Sequence, residues 1–350
     1  MPNHPAPKKP GDPVSARDIA EAAGVSIGTV SMALNDNPVV AAKTREAIQD
    51  LAEKMGYRRS PAFAALGSRS RWAKAVRDGT PVALVYEARP DDMAFAGLPS
   101  LFAGMQVAGE KLGYRAEDFK LEYGADWQPL LKVLRSRGFA AVVVGQMLGL
   151  RALEFPHWSK FVAVALGQQT QPLPMPTVRF SRHLSTRQAV IKAWEKGYRR
   201  IGFLEGIHDR FTATEDFARH GGFVAGMREV GVGFADLIPP LEHPIRRVPK
   251  GKFRSWVRKH RPDAIISTTG WLIYKTLQEW GYAIPGDFGF IGLLGADETT
   301  IAHPEESLSE LGGEAMRQVD HMLRHGDYGL HQNPRHIIVS SFWKDGPSLP

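Results

Sequence analysis

The chain has 350 residues, 43% of them apolar and 23% charged. That is enough material for two or three domains with buried cores and too apolar for a disordered chain. It contains no cysteine, which excludes disulfides, thiolate zinc sites and cysteine nucleophiles. Lys plus Arg (44) exceed Asp plus Glu (37) by only 7, so where the cations sit matters more than how many there are. No apolar run approaches the roughly 20 residues needed to cross a bilayer. The N-terminal MPNHPAPKKPGDP has two lysines but no apolar stretch after them, unlike a secretory signal. The expectation is a cytoplasmic protein with no membrane partner.

Residues 1–13 are Pro-rich and read as a disordered tail. Residues 14–58 read as a compact helical headpiece. Ser15 opens a first helix with Asp18 in the capping-box position. Ile19, Ala20 and Ala23 share a face, and Gly24 ends the helix where a left-handed residue is easiest for glycine. Ser26 caps a second helix, Ile27–Leu34, with Val30 and Leu34 facing inward. A third, roughly Lys43–Met55, carries Ile48, Leu51, Ala52 and Met55 as its apolar stripe. Helix, Gly-containing turn and short helix make a helix-turn-helix. The outward residues of the second helix, Ile27, Gly28, Thr29, Ser31 and Met32, include no acid. Such a face can enter the major groove without repelling phosphates, although an ordinary exposed helix of a small domain shows the same pattern.

Residues 59–80 read as a basic linker with one short helix. From Lys54 to Arg77 the cations Lys54, Arg58, Arg59, Arg69, Arg71, Lys74 and Arg77 are not interrupted by any acid. An anionic surface would relieve their repulsion, and so would a solvated linker. Within this block SPAFAAL, residues 60–66, is apolar and too short to hold a helix without a partner.

Beyond Pro81 short β-rich runs alternate with amphipathic helical stretches. The runs are Val82–Tyr86, Ala141–Val144, Phe161–Ala165, Ile201–Leu204, Ala264–Ser267, Phe288–Gly292 and His336–Ser340. The helices lie at 100–112, 127–137, 184–196, 216–230, 251–260, 271–281 and 309–325. Strands apolar on both faces and spaced by helices indicate parallel βαβ units in doubly wound sheets. Their total length asks for two lobes. The fold class is therefore α/β, with ligands expected beyond the C-terminal strand ends.

The run VSARDIAEAAGVSIGTVSMALNDNPVVAAKTREAIQDLAEKMGY, with Gly24-Val25-Ser26-x-x-Thr29-Val30-Ser31 followed by Asn35, resembles the headpiece of the lactose-repressor (LacI/GalR) family. The resemblance extends over nearly the whole chain. It implies a three-helix helix-turn-helix headpiece joined to a periplasmic-binding-protein-like core of two lobes, roughly 81–180 plus 306–336 and 181–305 plus 337–350. Three crossovers are expected near 179–183, 302–308 and 335–341. The implied function is that of a sequence-specific transcriptional regulator, a repressor, acting as a homodimer on a palindromic double-stranded operator. A small-molecule effector, a sugar or related metabolite, would control it without cofactor or metal. The resemblance places Ile27, Gly28 and Met32 at base-reading positions, and Ser26, Thr29, Ser31, Asn35 and Thr44 near phosphates. It makes Leu66 a minor-groove wedge.

Three departures from the family pattern change the expectation. Met32 stands where the family usually has a guanine-reading Arg and offers only apolar contact. Ala41 stands where a Ser caps the third helix, a loss of about 1 kcal/mol. Arg59 replaces a Pro ahead of the hinge.

In the core the landmarks are GYRRIGFLEG (197–206), ARHGGF (218–223), PDAIISTTG (262–270) and GYAIPGDFGFIG (281–292). Arg219 matches the family Arg that grips the effector, the alternative being a surface ion pair on its helix. Thr269 and Gly270 replace Asn-Asp, and Leu293, Leu294 and Gly295 replace Phe-Asp-Asp, so two customary carboxylates are missing. Trp271 offers a stacking face or belongs to the core, and Phe95, Arg210 and Leu294 complete the candidate effector contacts. An enzyme is not expected, because no HExxH or P-loop is present and His220 and His303 read as surface residues. The alternative is a solute-binding protein or enzyme of periplasmic-binding-protein-like fold with a non-specific DNA-binding appendage.

Overall fold

In a computed structural model the described residues are 14–34, 39–55, 57, 79–88, 97–122, 124–145, 157–167, 173–207, 213–245, 247–295 and 299–350. They fall into two compact units, divided between Ala75 and Val76.

The small unit contains α1 (Ala16–Ala23), α2 (Ile27–Ala33) and α3 (Ala42–Lys54). Ser15 donates to Asp18 Oδ2 from both its backbone N–H (2.6 Å) and its hydroxyl (2.8 Å). This holds free groups at the helix start as a capping box does. Gly24 ends α1 at φ 65°. Ile19, Ala20, Val30, Ala33, Val40, Ile48 and Ala52 form the core, and Gln49 Nε2 ties α3 to α2 through the Ala33 carbonyl at 3.0 Å. Leu34 caps α2 rather than belonging to it. Ala41 starts α3 with no side-chain cap.

The large unit is built on two parallel sheets and a short ribbon. The first sheet has the order β2-β1-β3-β4-β5-β11. Its members are β1 (Thr80–Ala88), β2 (Tyr114–Glu122), β3 (Ala141–Val144), β4 (Val162–Leu166), β5 (Thr177–Phe180) and β11 (His336–Val339). Ala83, Val85, Val142, Val144, Ala163 and Ala165 pack with Trp127, Leu131 and Phe161, around the short helix α5 (Gln128–Ser136). Helices α4 (Leu98–Leu112) and α10 (Leu308–His325) also belong to this lobe. They cross so closely that a Cβ on Gly104 would lie 1.9 Å from the Ser309 carbonyl oxygen.

The second sheet has the order β7-β6-β8-β9, from β6 (Ile201–Ile207), β7 (Leu241–Pro244), β8 (Ala264–Thr269) and β9 (Gly289–Leu294). One face buries Phe203, Ile266 and Ile291 against α6 (Arg182–Glu195) and α7 (Ala213–Glu229). The other buries Leu204, Ile265 and Phe290 against α8 (Lys250–His260) and α9 (Gly270–Glu279). β10 (His303–Glu305) and β12 (Phe342–Lys344) form the antiparallel ribbon.

The chain passes between lobes at Ser181, at 306–307 and at 340–341. One boundary differs from expectation. β11 pairs in parallel register with β5, His336 opposite Thr177 and Val339 opposite Phe180, so the first lobe runs to 339 rather than 336. No described helix is long and apolar enough to cross a membrane.

Candidate DNA-reading helix and effector cleft

Two hydroxyls fix the start of α2. Ser26 Oγ accepts from the Thr29 N–H at 3.0 Å and lies 2.9 Å from the Thr29 hydroxyl. This cap orients the first turn and leaves Ile27 (47% exposed) and Gly28 pointing outward. Thr29 and Ser31 are half-buried, and Thr44 is exposed in the first turn of α3. Met32 is not the fully outward residue that the pattern predicts. It is half-buried and packs against the headpiece core, because a seven-residue helix resting on two others leaves little circumference free. Asn35 and Leu66, the expected wedge, lie outside the described residues, as do residues 1–13 and 58–78.

All neighbours in each large sheet are parallel, so the C-terminal strand ends of a sheet share one edge. This is where α/β proteins bind ligands. On the second lobe that edge carries Glu205 and Ile207 from β6, Thr269 from β8 and Leu294 from β9, with Trp271 one residue into α9. Thr268 Oγ1 accepts from the Gly206 N–H (3.1 Å) and the Trp271 N–H donates to the Gly295 carbonyl (2.9 Å), which pins the three strand ends together. Trp271 is 37% exposed. One of its faces stacks near Tyr274 with ring centroids 6.2 Å apart, and Lys275 Nζ lies 4.4 Å from its centroid. Leu294 is half-buried. Phe95 and Arg210 lie outside the described residues.

Arg219 is only 1% exposed. Its guanidinium bonds Asp216 Oδ1 at 3.3 Å and Glu215 Oε2 at 3.2 Å, three and four residues back on α7. Burial, and after it the nearby Arg182, lower its pKa from the ordinary value. Beside it His220 Nδ1 lies 2.8 Å from Glu205 Oε2. Glu205 is buried, and its carboxyl is pushed up by desolvation, against the pull of His220. The His220 side chain is 44% exposed, as expected of a surface residue, but His303 is not a surface residue. It is 5% exposed, with Nδ1 2.7 Å from the Ile301 carbonyl and Nε2 2.9 Å from Glu305, because it sits in the ribbon packed on the second sheet.

A polar node joins this corner of α7 to the places where the chain changes lobe. Arg182, just past the first crossover, bonds Glu306 in the second and reaches Glu215 at 3.5 Å. Ser185 donates to Glu306 at 3.0 Å and lies 3.2 Å from the Ser341 hydroxyl, in the third crossover. Burial alone would lower the pKa of Arg182, but Glu215 and Glu306 outweigh it and hold it above the ordinary value. A continuous series of side chains therefore runs from Arg219 through Glu215, Arg182 and Glu306 to Ser185 and Ser341. Sequence reasoning allowed Arg219 an ion pair on its own helix but placed it at the surface, and it passed over Arg182, Glu306, Ser185 and Ser341. The available signal was the spacing of Glu215 and Arg219, which suits an i, i+4 pair on one helix face.

The family model for bacterial regulatory proteins of the lacI family matches residues 15–60, and that for the periplasmic binding protein-like domain matches 191–342. The HTH-type transcriptional regulator RafR of Escherichia coli is 27% identical over 239 residues, 67% of this chain and 66% of that one. The maltose regulon regulatory protein MalI of Escherichia coli (strain K12) is 26% identical over 226 residues, 63% and 61% of the two chains. The match thus spans a little under two thirds of the length of these relatives. Among solved structures the transcriptional regulator CelR in complex with cellobiose has a TM-score of 0.59 at 18% identity, covering 96% of this chain and 99% of that one. The lac repressor dimer bound to operator and the anti-inducer ONPF has a TM-score of 0.57 at 17% identity, covering 97% and 100%.

Proposed function

This chain belongs to the lacI family of bacterial regulatory proteins, and on that footing we propose that it represses transcription by binding an inverted-repeat operator as a homodimer, under the control of a neutral sugar. The observation that carries the reading is the presence in one chain of a capped helix-turn-helix and a two-sheet α/β core whose parallel strands end, within each sheet, on one edge. Ile27 and Gly28 read bases, Met32 adds apolar contact from its half-buried position, and Ser26, Thr29, Ser31, Asn35 and Thr44 hold phosphates. Leu66 is the hinge wedge. Acting on bacterial DNA, the protein works in the cytoplasm.

The charge of the buried corner sets the effector class. Arg182 and Arg219 face Glu215, Asp216 and Glu306, with Glu205 close by. An anionic ligand meets a surplus of carboxylates there. A guanidinium has five N–H donors, and the two bonds to Glu215 and Asp216 leave others for hydroxyl oxygens. Arg219 is sealed from solvent, so the effector reaches it by displacing what covers it. Trp271, Leu294, Phe95 and Arg210 are the remaining proposed contacts. Movement at Arg219 is passed through Glu215 and Arg182 to the three crossovers, and so to the relative setting of the lobes. The shift is bounded by the effector's differential affinity for the two states.

We read the chain as a regulator rather than an enzyme. The His220–Glu205 pair has no serine or threonine nucleophile among its described partners. The test is a thermal-shift series with cellobiose, maltose and a sugar phosphate. A ligand at 100 times its Kd adds about 2.7 kcal/mol of stability. A neutral sugar should raise Tm in the wild type and not in Arg219→Met. A shift with the sugar phosphate alone, or an undiminished shift in Arg219→Met, would overturn the assignment.

A further inference from the structure

We propose that the outer face of α8, on the second lobe, is an additional DNA-binding surface that takes duplex through its phosphate backbone, separate from the helix-turn-helix. Between His243 and Pro262 the chain carries eight cations (Arg246, Arg247, Lys250, Lys252, Arg254, Arg258, Lys259 and Arg261) and no acid, while the whole chain has a net charge of only +7. All other residues together therefore sum to a net charge of −1. Only one other acid-free run, Lys54–Arg77 with seven cations, approaches this stretch of twenty residues.

The structure turns that stretch into a surface. Phe253 and Trp256 are buried in the second lobe, and Lys250, Lys252, Arg254, Ser255, Arg258, Lys259 and Arg261 are exposed. Arg199 and Arg200 extend the face at the C-terminal end of the helix, where Arg200 donates to the carbonyls of Arg261 (3.0 Å) and His260. Among the described residues none of these cations forms an ion pair. Some exposed arginines elsewhere do, as in Arg115–Glu117 and Arg317–Glu314. Helix stability does not account for the pattern. Cations suit the last turn, but Lys250 and Lys252 stand in the first, where the helix dipole favours acids and there are none. Arg261 occupies a left-handed C-cap at φ 45°, a position glycine takes at least cost. The positive field is felt locally: burial first, then Lys259 and Arg200, lower the pKa of His260.

The composition of the face selects among polyanions. An eleven-residue helix is about 16 Å long, and duplex DNA presents one charge per about 1.7 Å of axis, so several phosphates lie within reach. Both aromatic residues of α8 are buried, which removes the stacking platform that single strands use. No exposed large apolar residue interrupts the cations, so the face lacks the apolar centre of a protein interface and the apolar stripe of a membrane-surface helix.

The test compares the full chain with a Lys252→Gln, Arg254→Gln, Arg258→Gln, Lys259→Gln variant on a random-sequence duplex at several salt concentrations. Removing one phosphate-binding cation makes the slope of log K against log salt shallower by about 0.9. The fourfold variant should therefore differ by about 3.6 with unchanged thermal unfolding. The headpiece is the same in both proteins, and no operator is required, so this outcome is independent of the regulator reading. If the fourfold variant unfolds early, Arg254→Gln and Arg258→Gln alone should each shift the slope by about 0.9. An unchanged slope overturns the proposal. Tighter binding to phosphatidylserine vesicles than to duplex, or equal competition by poly-glutamate, also overturns it.

Discussion

Glu306→Ala removes the carboxylate around which the crossovers are tied. In the folded chain Glu306 accepts from Arg182 and, at 3.0 Å, from Ser185, with its side chain 13% exposed. Breaking a fully buried pair by deleting one partner costs about 3–5 kcal/mol. Two features reduce that figure here. Arg182 keeps Glu215 at 3.5 Å, and Ser185 keeps the Ser181 carbonyl at 3.1 Å. A loss of about 2 kcal/mol follows. Glu306→Gln keeps an acceptor for Ser185 and should lose about half as much, roughly 1 kcal/mol. Urea unfolding followed by tryptophan fluorescence reads both, with an unchanged m-value expected. The same variants should show a weaker response of DNA affinity to effector, because the link from Arg219 to the crossovers is cut. A loss below about 0.5 kcal/mol, the size of an exposed pair, together with an intact effector response, would refute the reasoning.

Three other changes separate the contributions of cap, packing and buried charge. Ala41→Ser supplies the missing side-chain cap of α3 and should stabilise the headpiece by about 1 kcal/mol in thermal unfolding; no gain would show that the α3 start does not adopt cap geometry. Gly222→Ala places a Cβ 2.3 Å from the His183 carbonyl oxygen, which forces α6 and α7 apart. A loss of about 2–3 kcal/mol is expected, and wild-type stability would contradict the close approach. Glu205 carries a pKa raised above its ordinary 4.5, so its contribution to stability is fully present below the unfolded value and is lost as pH rises through the folded one. Glu205→Gln should therefore be relatively more stable at pH 7 than at pH 4, and a stability difference that does not change with pH would remove the burial argument.

The central strands were legible because they are apolar on both faces, as β3, β4 and β8 show. β2 was missed for the converse reason. It is the edge of its sheet, its exposure alternates, and Arg115, Glu117, Lys120 and Glu122 mask the period. β7, with the sequence LEHP, is the other sheet's edge and equally polar. The helix-turn-helix was readable from Ser15, Asp18, Gly24 and Ser26, since caps are local chemistry. Arg219 could be picked out along the chain, but its burial and its link to Arg182, Glu306 and Ser341 could not. Those partners lie on segments that meet only when two sheets are joined by three crossovers. Met32 shows the same limit on a small scale, because a residue's share of core and surface depends on how tightly neighbouring helices pack.

The most direct test selects duplexes from a random pool with the full-length protein, then titrates the winning duplex with and without cellobiose or maltose. The account predicts enrichment of an inverted repeat whose affinity changes at least about fivefold with a neutral sugar. A pool that stays random, or a repeat bound equally tightly whatever sugar is present, would contradict it.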